Sequence, residues 1–132
     1  MNKLRLGLFP YRIDAAGKTF PVIPLSLEIA GLKKEFFALV DSGATISIFR
    51  SEVAEALGID VNKGEETYLG GVGGRIKGYI HEIKIEVAGK IFRCPIVFSH
   101  EYLVSFNLLG REEFFKRFRI IFEERKNLLK LE

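Results

Sequence analysis

The stretch FALVDSGAT, Phe37 to Thr45, places a carboxylate directly after an apolar run and directly before a turn of small residues. An ionised carboxylate is costly to remove from water, so an acid that ends a buried strand needs hydrogen-bonding partners or a chemical role. Gly43 lets the backbone approach the acid closely, and the Ser42 hydroxyl can hydrogen-bond with backbone or with a neighbouring group. Asp41 is therefore the first candidate for a functional residue in this sequence.

The Asp-Ser-Gly triplet is a weak signal by itself, because Asp, Ser and Gly are ordinary turn-forming residues. Its context strengthens it. Aspartate occurs only at positions 14, 41 and 60, and Asp14 and Asp60 stand in polar or helix-end surroundings that are typical of solvated turns. Two later segments matter as well: a glycine-rich stretch from Gly70 to Gly74, and an apolar pair that ends in glycine, Leu108-Leu109-Gly110.

The composition predicts one folded domain, residues 1–132, with an aromatic-rich core. Hydrophobic residues make up 48% of the chain, and Phe alone occurs 12 times. The net charge is +3 and the pI is near 9.0, but the basic residues are interleaved with Glu, so nucleic-acid binding is not indicated. Arg5 and Pro10 interrupt the N-terminal apolar residues, and Cys94 has no cysteine to pair with. We therefore expect no secretory signal, no membrane span and a reducing, cytoplasmic location.

The apolar pattern predicts a mainly antiparallel, all-β domain. Alternation over Pro21 to Glu28 indicates a half-buried strand, and a turn at Ala30-Gly31 leads into a strand from Glu35 to Val40, whose apolar end predicts burial on both faces. Further strands are expected over Glu65–Leu69, Ile76–Val87, Ile91–Phe98, Phe118–Phe122 and Leu128–Leu131. Short helices are expected from Ser51, as the N-cap, to Gly58, and over Arg111–Arg117. A small sheet of this kind closes on itself to protect its edges.

The order of these features resembles the retroviral-type (retropepsin-like) class of single-domain aspartic proteases. The signature of that family is an apolar residue followed by Asp, Thr or Ser, Gly and Ala, and Val40 to Ala44 matches it. The resemblance covers roughly residues 20 to 122 and implies a closed acid-protease barrel with one or two short helices. It also implies that Asp41 is catalytic and that Ser42, Gly43 and Ala44 support the catalytic loop.

The same resemblance assigns roles to other segments. The glycine-rich hairpin would be the flap that covers the substrate, and its residues are Leu69, Gly70, Gly71, Val72, Gly73, Gly74 and Arg75. The element threaded behind the catalytic loop would be Leu108, Leu109 and Gly110. Ser42 would donate a hydrogen bond to the backbone of its counterpart across a dimer. Viral members usually carry a substrate-binding acid two residues after the catalytic Gly, and this chain has Thr45 there.

One chain supplies one such acid, because the triplet occurs once. Hydrolysis by aspartic proteases needs two carboxylates that share a proton and hold a water between them, and a twofold homodimer would supply the second Asp41. Two unit charges about 3 Å apart repel by roughly 5 kcal/mol at an effective dielectric constant of 20, which keeps one proton on the pair. We therefore expect an aspartic endopeptidase that acts as a homodimer on peptides, without metal or organic cofactor, and that uses Leu128–Leu131 in its dimer surface.

The chief alternative is a catalytically silent peptide-binding or dimerisation module with the same fold, because fold does not determine function. Gly17-Lys18-Thr19 resembles the end of a phosphate-binding loop, but Arg12 stands where the first Gly belongs. A phosphate site at Gly70 to Gly74 lacks the following Lys-Ser/Thr. His81 and His100 match no zinc-ligand spacing and are expected at the surface, while Cys94 is expected to be a small buried residue rather than a nucleophile.

Overall fold

The structure, a computed structural model, describes residues 7–132. Short strands and two short α-helices make up most of this part of the chain. The strands are β1 (Leu8–Pro10), β2 (Arg12–Ile13), β3 (Thr19–Phe20), β4 (Val22–Ile29), β5 (Leu32–Val40), β6 (Ser47–Arg50), β7 (Glu65–Gly71), β8 (Gly74–Val87), β9 (Lys90–Ser99), β10 (Asn107–Leu109), β11 (Ile120–Glu123) and β12 (Leu128–Leu131). The helices are α1 (Ser51–Ala56) and α2 (Phe114–Arg117), with 3-10 turns at Val61–Lys63 and Glu124–Lys126.

A seven-stranded sheet dominates the fold, in the order β4-β5-β10-β6-β9-β8-β7. The long strand β8 also pairs with β4 through Leu27↔Ile85, so the sheet curls back onto its first strand. A second sheet has the order β1-β12-β11, and β2 pairs with β3 as a separate small hairpin. The predicted fold class, a mainly antiparallel all-β domain with two short helices, is confirmed. None of the helices in the described part of the chain has the length and apolar character needed to span a bilayer.

Two-residue turns set the register of the main hairpins. Ala30 and Gly31 have φ of 50° and 83° between β4 and β5, and Ala88 and Gly89 have φ of 49° and 79° between β8 and β9. Positive φ at both central residues gives the turn a twist that matches the twist of the flanking strands. The predicted hairpins over these segments are therefore confirmed.

Two parallel pairings interrupt the antiparallel pattern in the middle of the seven-stranded sheet. β10 runs parallel to β5, with Leu109 opposite Val40, and β6 runs parallel to β9, with Ile48 opposite Val97. β10 lies between β5 and β6, which are separated in sequence only by residues 41–46. The end of β5, where the signature acid stands, is consequently backed by a strand that comes from far along the chain.

The core is a single cluster of aliphatic and aromatic side chains between the faces of the curled sheet. Phe49, Phe98 and Phe114 are fully buried, which confirms the aromatic core. The prediction that the end of β5 is covered on both faces was wrong: Ala38 and Val40 are buried, but Phe37 is 45% exposed. Alternate residues of a strand point to opposite faces, and only one face of β5 packs on the core.

Two local expectations were also wrong. Ser51 is the first residue of α1 rather than its cap, because Arg50 belongs to β6 and takes the N-cap position with no side-chain capping bond. The helix expected over Arg111–Arg117 is confined to Phe114–Arg117. Glu113 has φ of 62°, outside the right-handed helical region, so the helix begins only after it.

The segment Leu128–Leu131, which the sequence analysis assigns to a dimer surface, is paired within the subunit, and its part in a dimer stays a prediction. It forms β12, the central strand of the three-stranded sheet, with β1 on one side and β11 on the other. Leu129 and Leu131 are buried within the subunit. Both hydrogen-bonding edges of this strand are thus already used, and it is the outer strands, β1 and β11, that could pair with a second chain.

Candidate active site

Asp41 lies just past the end of β5 in a short turn that the backbone holds on both sides. Its N–H donates to Leu109 C=O at 3.0 Å, its C=O accepts from Ala44 N–H at 3.2 Å, and its Oδ1 accepts from Gly43 N–H at 2.9 Å. The residue is half-buried, while Ser42 and Gly43 are exposed. A half-buried carboxylate with one oxygen oriented by a backbone N–H is suited to accept a proton from a bound water.

Gly110 makes the close packing behind this turn possible. A Cβ on Gly110 would lie 2.4 Å from Ile46 O and 2.9 Å from Ala44 O, which no side chain tolerates. The residues after it continue the contact, because Arg111 N–H donates to Ala44 C=O and Glu112 N–H donates to Thr45 C=O, each at 2.9 Å. The sequence-predicted residues Asp41–Thr45 and Leu108–Gly110 are therefore brought together in one hydrogen-bonded unit.

Two residues of this unit were missed from the sequence. Ser47 is fully buried, and its Oγ accepts a hydrogen bond from Gly110 N–H at 3.0 Å. Asn107 spans both neighbours of β10: its Oδ1 accepts from Arg50 N–H at 2.8 Å and its Nδ2 donates to Phe37 C=O at 2.9 Å. The available signal was a polar residue inside an apolar run, Ile46-Ser47-Ile48-Phe49, and an Asn directly before the apolar pair.

The glycine-rich segment forms the tip of the β7–β8 hairpin. Leu69 pairs with Ile76 and Gly71 with Gly74, and Val72 at the turn is fully exposed. Arg75 stacks on Tyr68, with its Cζ 4.4 Å from the ring centroid. The hydrogen bonds found among residues 7–132 do not join the residues Leu69–Arg75 to Asp41 or Thr45, so the predicted flap is not part of the hydrogen-bonded unit around Asp41.

A groove of about 520 Å³ lies on the outer face of β5. It is aromatic, with Phe20, Phe36, Phe37 and Phe106 in its walls, and the Arg12 guanidinium stacks over Phe37 at 4.3 Å from the ring centroid. Phe37 precedes Asp41 by four residues in an extended strand, which corresponds to about 13 Å. Neither Asp41 nor Leu39 lines the groove.

Buried titratable side chains near this unit have shifted pKa values. Burial raises the pKa of Tyr102 to about 12; the negative charge of Asp41 adds to this shift and the positive charge of Arg50 opposes it. The Tyr102 hydroxyl donates to Phe106 C=O at 2.7 Å. Burial also raises the pKa of Cys94 to about 12, which is the property of an inert core thiol rather than a nucleophile.

The two histidines lie in different environments. His100 is exposed as expected, whereas the expectation for His81 was wrong, since its Nε2 lies 2.9 Å from Val61 C=O and its ring packs edge-on against Phe98. His81 serves as a half-buried link between β8 and the turn at Val61. Within residues 7–132 there is no group of three or more His, Cys, Asp or Glu side chains placed to hold a metal ion.

Solved structures share this architecture. A crystal structure of a retropepsin-like aspartic protease from Rickettsia conorii superposes with a TM-score of 0.63 at 24% identity, covering 93% of this chain and 97% of that one. The EIAV protease in complex with the inhibitor HBY-793 superposes with a TM-score of 0.56 at 19% identity, covering 76% of this chain and 88% of that one. The fold is accordingly that of the retropepsin-like aspartic proteases.

A family model described as aspartyl protease matches residues 25–112, which include Asp41 and Leu108–Gly110. The chain belongs to this aspartyl protease family, and it has a retropepsin-like fold. No curated protein matches the sequence.

Proposed function

We propose that this protein is an aspartic endopeptidase in which a water is activated between two Asp41 carboxyls, one from each subunit of a homodimer. The observation that carries the proposal is the geometry of Asp41: a half-buried carboxylate at the end of a buried strand, held by Gly43 N–H and backed by Leu109. None of the ion pairs among residues 7–132 involves Asp41, so no cationic side chain of the described residues neutralises this carboxylate.

Each carboxyl of the pair has a defined role in this mechanism. The ionised Asp41 takes a proton from the water as the water oxygen adds to the carbonyl carbon, and the protonated Asp41 of the partner subunit gives its proton to the carbonyl oxygen. The first carboxyl then gives its new proton to the amide nitrogen as the C–N bond breaks, and the partner's Asp41 takes back the proton of the intermediate's hydroxyl, which restores the starting state. The pair would titrate as a unit, so activity would fall where both carboxyls are protonated and again where both are ionised.

The exposed parts of the turn support a dimer. Ser42 is exposed, and its hydroxyl makes no hydrogen bond to other described residues, so it can donate to a second chain.

The outer strand β11 carries Phe122, which is 39% exposed, and strand β1 carries Leu8, which is 40% exposed. Unpaired strand edges with exposed apolar side chains favour association of two copies. The partner in this proposal is a second copy of the chain.

The substrate in this proposal is an extended peptide. Residues Leu69–Arg75 would close over it as a flap, and Thr45 would contact its backbone. A peptide strand pairs by main-chain hydrogen bonds and is discriminated by pockets for alternate side chains. The aromatic groove beside Phe37 is one surface that a longer substrate could reach. The cytoplasmic location expected from the sequence stays a prediction.

Replacement of the acid tests this function. We expect Asp41→Asn to lose at least about 1,000-fold in the rate of cleavage of a denatured protein mixture, measured at acid and neutral pH, because the variant has no carboxylate to activate water. A pepstatin-like inhibitor should suppress the wild type. Asp60→Asn is the matched control, since Asp60 is exposed and makes no side-chain ion pair within the described residues.

Two outcomes would contradict the proposal. Equal cleavage by wild type and Asp41→Asn would reject Asp41 as the catalyst. Absence of cleavage by a wild-type chain that is dimeric by light scattering and still binds peptides would favour the alternative, a silent peptide-binding module.

A further inference from the structure

The β7–β8 hairpin leaves the body of the protein at Lys77. Strand β8 pairs with β9 from Val87↔Lys90 up to Tyr79↔Phe98, and the same register would place Lys77 opposite His100. The chain turns at His100 instead, and the pairing ends. The backbone N–H and C=O of Lys77 therefore need partners other than a strand.

Two side chains supply those partners. The Ser99 hydroxyl donates to Lys77 C=O, and the Glu101 carboxylate accepts from Lys77 N–H at 2.9 Å. The two side chains are also joined to each other, because Glu101 N–H donates to Ser99 Oγ at 3.1 Å. We call this arrangement of Ser99, Glu101 and the Lys77 backbone the root latch.

The root latch lies at a tightly packed point of the sheet. Ser99 is fully buried. A Cβ on the neighbouring Gly78 would lie 2.5 Å from Val97 Cγ1, so β8 runs in close contact with β9 immediately before it departs. On one side of Lys77, β8 is thus packed against β9. On the other side, residues 74–76 of β8 pair with β7.

Beyond the root latch, the tip of the hairpin has little support of its own. Added Cβ atoms at Gly70, Gly71, Gly73 and Gly74 would meet nothing within 4 Å. Backbone segments with few packed neighbours open locally at low free-energy cost, so the direction of the hairpin is set at its root.

The root latch also connects the hairpin to the segment that leads behind Asp41. Glu101 is followed by Tyr102, whose hydroxyl donates to Phe106 C=O at 2.7 Å. Phe106 directly precedes β10, the strand whose last residue, Leu109, accepts from Asp41 N–H. Two hydrogen bonds and the chain segments between them therefore connect the root of the hairpin to the residue that backs the acid.

We propose that Glu101 is a positioning residue for peptide binding: its carboxylate holds Lys77 N–H and so sets the direction in which the β7–β8 hairpin closes over the substrate. This inference rests on the proposed function of the hairpin as a flap. Glu101 acts through the backbone of Lys77 and does not contact the reacting atoms.

Three variants of the full chain test this role. Glu101→Ala removes the acceptor, Glu101→Gln retains an acceptor oxygen, and Glu55→Ala is the control, since Glu55 is exposed on α1 and makes no side-chain hydrogen bond among the described residues. We expect the amide of Lys77 to exchange with solvent about tenfold faster in Glu101→Ala, and within about threefold of wild type in Glu101→Gln. For cleavage of an extended peptide, we expect KM to rise about threefold or more in Glu101→Ala while kcat changes less than about twofold.

The results distinguish three claims: the root latch itself, its role in substrate binding and the proposed function. Unchanged exchange at Lys77 in Glu101→Ala would overturn the root latch, and faster exchange with an unchanged KM would overturn its role in substrate binding. If no variant cleaves peptide, wild type included, the proposed function fails, while exchange at Lys77 still decides whether the root latch exists.

Discussion

The turn that holds Asp41 and the tip of the β7–β8 hairpin are both built from small residues, but they are supported in opposite ways. Around Asp41, backbone groups of residues 41–45 bond to residues 109–112, and Ser47 and Asn107 add side-chain bonds. Among the residues that the structure describes, the hairpin tip, residues 69–75, has hydrogen bonds only between its own two strands. Glycine therefore has two uses here: Gly110 allows backbones to touch, whereas the glycines of the tip allow a turn without neighbours.

In the proposed function the two regions have different tasks, and their different support fits those tasks. A catalytic carboxylate must be held in one geometry, which requires dense hydrogen bonding and close packing. A segment that admits and covers a peptide must open, which requires few tertiary contacts. Substitutions of equal size should consequently change the free energy of unfolding by unequal amounts in the two regions.

The largest contrast is expected between Gly110→Ala and Gly71→Ala. The first places a methyl group 2.4 Å from Ile46 O, so the backbone of the acid-bearing turn must shift, at a cost of about 3 kcal/mol or more in the free energy of unfolding. The second meets no atom within 4 Å and should cost less than about 1 kcal/mol. Urea denaturation measures both, and similar costs would refute the contrast.

A smaller effect is expected for the buried hydroxyl behind the turn. Ser47→Ala leaves Gly110 N–H without an acceptor in the interior, which should reduce the free energy of unfolding by about 2 kcal/mol. Ser105→Ala, at an exposed position, is the control and should change it by less than about 0.5 kcal/mol. If equilibrium unfolding shows the two variants to be equally stable, the Ser47 hydrogen bond does not support the turn.

The smallest effect concerns pH and Tyr102. Because the pKa of Tyr102 is raised from 10 to about 12 in the folded protein, the unfolded chain loses this proton first, and stability falls as the pH rises from about 10 to 12. The stabilising contribution is complete below pH 10. Tyr102→Phe cannot lose a proton there, so its stability should fall less steeply, by up to about 1.4 kcal/mol per pH unit. Urea unfolding at several pH values between 9 and 11.5 compares the two slopes, and parallel curves would contradict the buried environment of the hydroxyl.

Much of the fold could be predicted because its information is local. The hairpins β4–β5 and β8–β9 have alternating apolar residues on both sides of Ala-Gly turns, and these signals lie within about 20 residues of each other. The acid itself stood out as a rare Asp at the end of an apolar run. The tip of β7–β8 was visible from its glycines, although its role as a flap came only from family resemblance.

The parts that were missed depend on contacts that no local pattern carries. Strand β6 was not predicted because four residues are too few to show an alternation of buried and exposed side chains. Its position depends on parallel pairing with β9. Ser47 and Asn107 gain their importance from partners about 60 residues away. Ser51 was predicted to be the helix N-cap, but β6 extends to Arg50, so Arg50 takes that position and Ser51 is the first helical residue. The burial of β12 likewise depends on β1 and β11, which cover both of its edges.

The insertion of β10 between β5 and β6 has a consequence for the timing of biosynthesis. Asn107 bonds to Phe37, 70 residues earlier, so a nascent chain that has emerged from the ribosome only as far as β9 lacks the strand that backs the acid. Contacts of such long sequence separation form late and slowly. The backbone support of Asp41 therefore forms only after β10, residues 107–109, has left the ribosome.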